Sequence, residues 1–82
     1  MNTKERMQLM KLLGFERIDG EYVIGYTYKL TVKFEENSAE YRFETKNGTH
    51  IRKSVKFDMS DLLGYMLTYL RYDENAKISS IY

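Results

Sequence analysis

Residues 21–37, EYVIGYTYKLTVKFEEN, alternate apolar and polar side chains with a period of two, and this alternation restricts the fold more than any other feature. Tyr22, Ile24, Tyr26, Tyr28, Leu30, Val32 and Phe34 fall on one parity, and Thr27, Lys29, Thr31 and Lys33 on the other. Successive strand side chains point to opposite sheet faces, so the pattern predicts a strand with one face in a core and the other in water. Read as one strand, 21–34 is long. Thirteen residues from Tyr22 to Phe34 would reach roughly 43 Å at 3.3 Å per residue, against about 20 Å for a layer of two helices. Tyr22, Tyr26 and Tyr28 would then overhang the helices.

The flanking segments supply partners for such a strand. Asp19-Gly20 is a two-residue hairpin signal that pairs Phe15 with Ile24. A loop around Glu36-Asn37 pairs Phe34 with Ala39, Val32 with Tyr41 and Leu30 with Phe43, and the same register sets Lys33 opposite Glu40 and Lys29 opposite Glu44. Apolar pairs on one face and opposite charges on the other both support that register. For the next hairpin, a three-residue loop of Lys46, Asn47 and Gly48 with a G1 bulge places Phe43 opposite Ile51 and Ala39 opposite Val55. His50 then lies opposite Glu44 on the polar face.

Helices close both ends. Asn2 with Glu5 three residues on has the capping-box spacing, and Gly14 can take the left-handed position that ends a helix, with Phe15 packing back on Met10. Asp58 or Ser60 caps a second helix from Met59 to about Tyr72, ended by Asp73-Glu74-Asn75 and followed by a tail that either pairs as a short edge strand or frays. The predicted fold class is α+β: an antiparallel meander of three to four strands with an N-terminal and a C-terminal helix packed on one face. One domain over 1–82 holds a helix at about 3–13, strands at about 15–18, 21–34, 39–45 and 49–57, a helix at about 59–72 and a tail at 73–82.

Composition narrows the function classes. The 82 residues carry a net charge of +1 and no cysteine, so there is no disulfide frame, thiol nucleophile or thiolate metal site, and no global attraction to nucleic acid or acidic membranes. The opening residues carry Lys4, Glu5, Arg6 and Lys11, unlike a signal peptide, and no apolar run reaches membrane length; the expectation is a cytoplasmic protein. Asn47-Gly48-Thr49 matches a glycosylation acceptor but reads better as a turn. His50 beside Glu44 has the elements of a general base with its orienting partner, yet no nucleophile, second acid or glycine-rich loop accompanies it. Asp58 and Asp61 read as helix caps and not as metal ligands. No catalytic residue, metal, cofactor or small-molecule substrate is expected.

Two surfaces remain as candidates. Lys29, Lys33, Arg42, Arg52 and Lys56 share the polar face with only Glu40 and Glu44, an alternative site for nucleic acid, although stacking modules place aromatics on that same face. The second helix is apolar round most of its circumference, with a narrow stripe of Asp61, Gly64, Thr68 and Arg71, so part of it is free to meet a protein partner or a second copy of the chain. Gly64 and Thr68 form a small-x-x-x-small notch there. The eight tyrosines supply rigid contacts with polar tips, and the interface candidates are Tyr22, Tyr26, Tyr28, Tyr65, Tyr69 and Tyr72.

Rich in Lys, Asn, Tyr, Ile and Phe and lacking Cys, Pro and Trp, the chain resembles in residue usage the small inhibitor and adaptor proteins of phages and mobile elements of AT-rich bacteria. That resemblance implies stoichiometric binding to a host protein, such as a defence nuclease, in the host cytoplasm. A structural homo-oligomeric subunit is the third reading.

Overall fold

The computed structural model describes residues 2–25 and 28–81, with side chains up to residue 71. Helix α1, Thr3–Leu12, starts where the Asn2 side chain accepts a hydrogen bond from the Glu5 N–H at 2.8 Å. It ends in a Schellman motif: Phe15 N–H donates to the Met10 carbonyl and Gly14 N–H to that of Lys11, with Gly14 at φ +95°. The reversal turns Phe15 onto Met10, and both lie in the core.

Five strands follow in an antiparallel meander with neighbours in chain order: β1 Glu16–Ile18, β2 Glu21–Gly25, β3 Lys29–Phe34, β4 Ala39–Thr45 and β5 Gly48–Ser54. At the β1–β2 turn Asp19 and Gly20 both have positive φ, as a type I′ hairpin requires, and Glu16 pairs with Val23 in the predicted register. The β3–β4 pairing also follows the sequence reading, from Lys29 opposite Glu44 to Phe34 opposite Ala39.

Two strand expectations are corrected. The alternating segment 21–34 is not one strand but the antiparallel pair β2 and β3, which raises the strand number to five. The chain folds back at Gly25, where φ is +103° and an added Cβ would collide with the Tyr28 carbonyl oxygen. Three residues, 26–28, separate the strands, so even positions pair with even ones: Tyr22 with Val32 and Ile24 with Leu30. The parity of the apolar pattern therefore survives the turn and imitates one continuous strand.

The second correction concerns β5, which ends at Ser54 and not at 57. Its register places Phe43 opposite His50, Tyr41 opposite Arg52 and Ala39 opposite Ser54 across a two-residue turn at Lys46-Asn47, one residue from the expected pairing. Thr45 holds that turn: its hydroxyl accepts from the Asn47 N–H at 3.1 Å and donates to the Gly48 carbonyl at 3.2 Å. Ile51 and Val55, expected in the core, are exposed.

Helix α2, Met59–Ile81, begins at Asp58, whose side chain accepts from the Ser60 N–H at 2.9 Å. It runs past the expected end near 72, and the tail forms no edge strand. Asp, Glu and Asn each cost an exposed helix under about 1 kcal/mol, and neither glycine nor proline follows Gly64 to stop it. Both helices contribute to one core against the sheet, centred on Met10, Leu30, Val32, Tyr41 and Leu62. Arg6 ties α1 to the β3–β4 loop, donating to the carbonyls of Glu35 at 3.1 Å and Glu36 at 2.7 Å with its guanidinium 4.9 Å from the centre of the Phe34 ring.

Candidate functional site

The division of 21–34 removes the overhang on which three tyrosine candidates rested. Tyr22 and Tyr28 belong to the buried core, and Tyr26 lies outside the described residues. On α2, Tyr69 is buried and Tyr65 is half-buried, stacked on Tyr41 with ring centres 4.5 Å apart; the Tyr72 side chain lies outside the described residues. Among the described residues, the free apolar surface of α2 is made chiefly by leucines instead.

Leu63, Leu67 and Leu70 are 44%, 68% and 48% exposed, so a large part of each remains in water. At about 100° per residue they fall between roughly 80° and 140° round the helix from the buried Leu62, a single flank. No charged residue occurs from Leu62 to Leu70, and Gly64 is exposed with open space where a Cβ would stand. Sequence reasoning recognised the excess of apolar surface on this helix but assigned it to tyrosines, because which part of an almost wholly apolar helix faces the sheet depends on packing.

The basic face is also rearranged. Register places Lys29, Lys33 and Arg42 on the open face of the sheet, but sends Arg52 to the helix side opposite Tyr41, while Lys56 lies beyond the end of β5. The open face gains Lys53 in their stead, together with Glu16 and Glu21 from β1 and β2. Four basic residues thus share it with four acidic ones, Glu16, Glu21, Glu40 and Glu44, and Arg42 approaches Glu21 at 4.0 Å. The expected positive surplus is cancelled among the described residues.

On the helix side, the shifted β5 register opens a cleft of about 250 Å³ between α2 and the β4–β5 hairpin. Tyr41, Phe43 and Tyr65 supply its aromatic surfaces, His50 and Arg52 stand at its β5 edge, and Asn47 lines it at the hairpin turn. His50 therefore faces Phe43 across the strands and not Glu44. The Tyr41 hydroxyl is buried and has no hydrogen bond of ordinary geometry among the described residues. Burial pushes its phenol up to about 12, with the charge of Asp61 and the nearby Tyr65 adding to the effect and Ser54 opposing it. Asp61 itself accepts a hydrogen bond from the Ser54 hydroxyl at 3.1 Å.

Among the described residues no three His, Cys, Asp or Glu side chains are grouped to hold a metal ion, and no helix is long and apolar enough to cross a membrane. Comparison with known protein families, with curated proteins and with solved structures gave no match.

Proposed function

We propose that the protein is a non-enzymatic binding module that presents the leucine flank of α2 to an apolar groove on a protein partner. The observation that supports this reading is the exposure of Leu63, Leu67 and Leu70 on one flank of a helix segment with no charge from Leu62 to Leu70. Spacings of four and three residues are those by which an amphipathic helix anchors in a hydrophobic groove. A soluble surface helix normally covers such a flank with charge, and an uncovered apolar patch marks an interaction site. Three partly exposed leucines fall well short of the roughly 800 Å² per partner that a stable interface buries. The partner therefore reaches beyond the stripe, which favours a different protein with an enclosing groove over simple pairing of two copies. Stoichiometric inhibition or adaptation of a host protein, in the manner of phage and mobile-element proteins, is the activity proposed for such a module.

Leu67→Glu tests the reading. It is expected to leave the melting temperature within a few degrees of wild type, because Leu67 is the most exposed of the three, and to abolish capture of the partner that wild-type protein recovers from its source cell. Undiminished capture by Leu67→Glu removes the flank from the interface. Light scattering at hundreds of micromolar distinguishes self-association: a dimer dispersed by Leu67→Glu would replace the heterologous partner with a second copy.

A further inference from the structure

The cleft between α2 and the β4–β5 hairpin lies on the flank opposite the leucine stripe, where Tyr65 and Thr68 face β4 and β5. The geometry points to a binding site for a small planar aromatic anion, an aromatic ring carrying a carboxylate or phosphate. The anion preference follows from the lining. His50 and Arg52 are two residues apart on β5 and share its helix-side face, whereas no carboxylate lines the cleft among the described residues. Neither His50 nor Arg52 has an ion pair or a side-chain hydrogen bond with a described residue. Asp61 and Asp58, the carboxylates whose charge acts on Tyr41, accept hydrogen bonds from the Ser54 hydroxyl and the Ser60 N–H and do not line the cleft. An exposed guanidinium above an aromatic surface is suited to pairing with an oxyanion in a planar, two-pronged fashion.

The preference for a ring follows from the same walls. Tyr41 is 1% exposed and stacks its face on Tyr65, and Phe43 is also buried, so the ring surface open at the cleft belongs to the half-buried Tyr65, with the edges of Tyr41 and Phe43 beneath it. A half-buried aromatic side chain beside an apolar floor binds a planar ring by stacking and by excluding water. At about 250 Å³ the cleft is smaller than the roughly 300 to 1,000 Å³ of sites for drug-sized ligands, so it accommodates one ring with its anionic group. The hydroxyls of Thr45 and Thr68 donate to the carbonyls of Gly48 and Gly64, which leaves Asn47, His50, Arg52 and the tyrosine hydroxyls as the side-chain donors for the ligand. None of this is visible if His50 and Arg52 are placed on the open face.

Amide NMR titration of the full chain tests the site. Phenyl phosphate is expected to shift the amides of His50, Arg52 and Tyr65 with roughly millimolar or tighter affinity, and inorganic phosphate and phenol to bind at least tenfold more weakly. Arg52→Ala, on an exposed edge position, is expected to weaken phenyl phosphate at least tenfold without lowering the melting temperature, while Leu67→Glu leaves the titration unchanged. Uridine monophosphate competing better than 4-hydroxybenzoate assigns the natural source to nucleotides, and the opposite ranking to aromatic acids. Absence of shifts at the cleft, phosphate binding as tightly as phenyl phosphate, unchanged affinity in Arg52→Ala, or failure of both competitors overturns the assignment.

Discussion

The β3–β4 and β4–β5 hairpins share a strand, yet one register was legible in the sequence and the other was not. In β3–β4 both strands bury one face: Leu30, Val32, Ala39, Tyr41 and Phe43 all lie in the core, and a slip by one residue would turn one strand's share of them outward. Lys33 opposite Glu40 and Lys29 opposite Glu44 reinforce the same pairing from the other side. In β5, every residue from Gly48 to Lys53 is exposed and only Ser54 is half-buried. Little burial is at stake in its register, so the local turn geometry held by Thr45 decides it. Hydrophobic pattern specifies pairing where a face is buried and loses its authority at an uncovered edge.

Truncation should separate the two hairpins most sharply. Leu30→Ala is expected to cost about 2 to 5 kcal/mol, since Leu30 is fully buried in the core. Ile51→Ala, half exposed on β5, should cost no more than about 0.5 kcal/mol. Urea unfolding measures both, and equal losses would show that β5 is covered after all.

The turn between β2 and β3 offers the next test. Gly25→Ala must accommodate a Cβ against the Tyr28 carbonyl at φ +103°, with the Tyr69 ring also closer than contact allows. A loss of roughly 2 kcal/mol or more is expected. A neutral result in thermal melting would mean that 21–34 can adopt the single long strand.

Tyr41, on the shared strand, gives a pH signature. Its phenol is raised from 10.0 to about 12 in the folded state, so between these values the unfolded chain releases the proton while the folded chain keeps it. The contribution of the neutral phenol is therefore fully present below pH 10 and is lost as pH rises towards 12, on the order of 2 kcal/mol. The comparison is with Tyr41→Phe, which should unfold less steeply with pH across that window. At neutral pH, where its buried hydroxyl has no hydrogen bond of ordinary geometry, the substitution should be near neutral or slightly stabilising. Identical pH profiles would mean that the phenol is not held high.

The smallest effect belongs to the cross-strand charges. Lys33→Glu should cost about 0.2 to 1 kcal/mol and Glu40→Lys in the same chain should restore part of it, a coupling read by double-mutant cycle in low salt. Absence of coupling would reduce the β3–β4 register to its apolar face alone.

The sequence by itself determined the α+β class, the helix at each end, the Asn2 cap, the Gly14 reversal and the pairing of β1 with β2 and of β3 with β4, and narrowed the second cap to Asp58 or Ser60. These depend on residues within a few positions of one another, or on two strand faces whose patterns must agree. Tertiary structure alone decided that 21–34 folds back after Gly25, because three intervening residues preserve the parity of the apolar positions. Packing also decided which flank of α2 is covered, and so exposed Leu63, Leu67 and Leu70 while burying Tyr69 and half-burying Tyr65. Arg6 shows the same limit: its hold on the Glu35 and Glu36 carbonyls spans about thirty residues of chain and has no local signature. The position of His50 and Arg52 on the helix side follows from a single-residue register choice in a strand with almost nothing to bury, where sequence periodicity carries little energy and the tight turn at Lys46-Asn47 prevails.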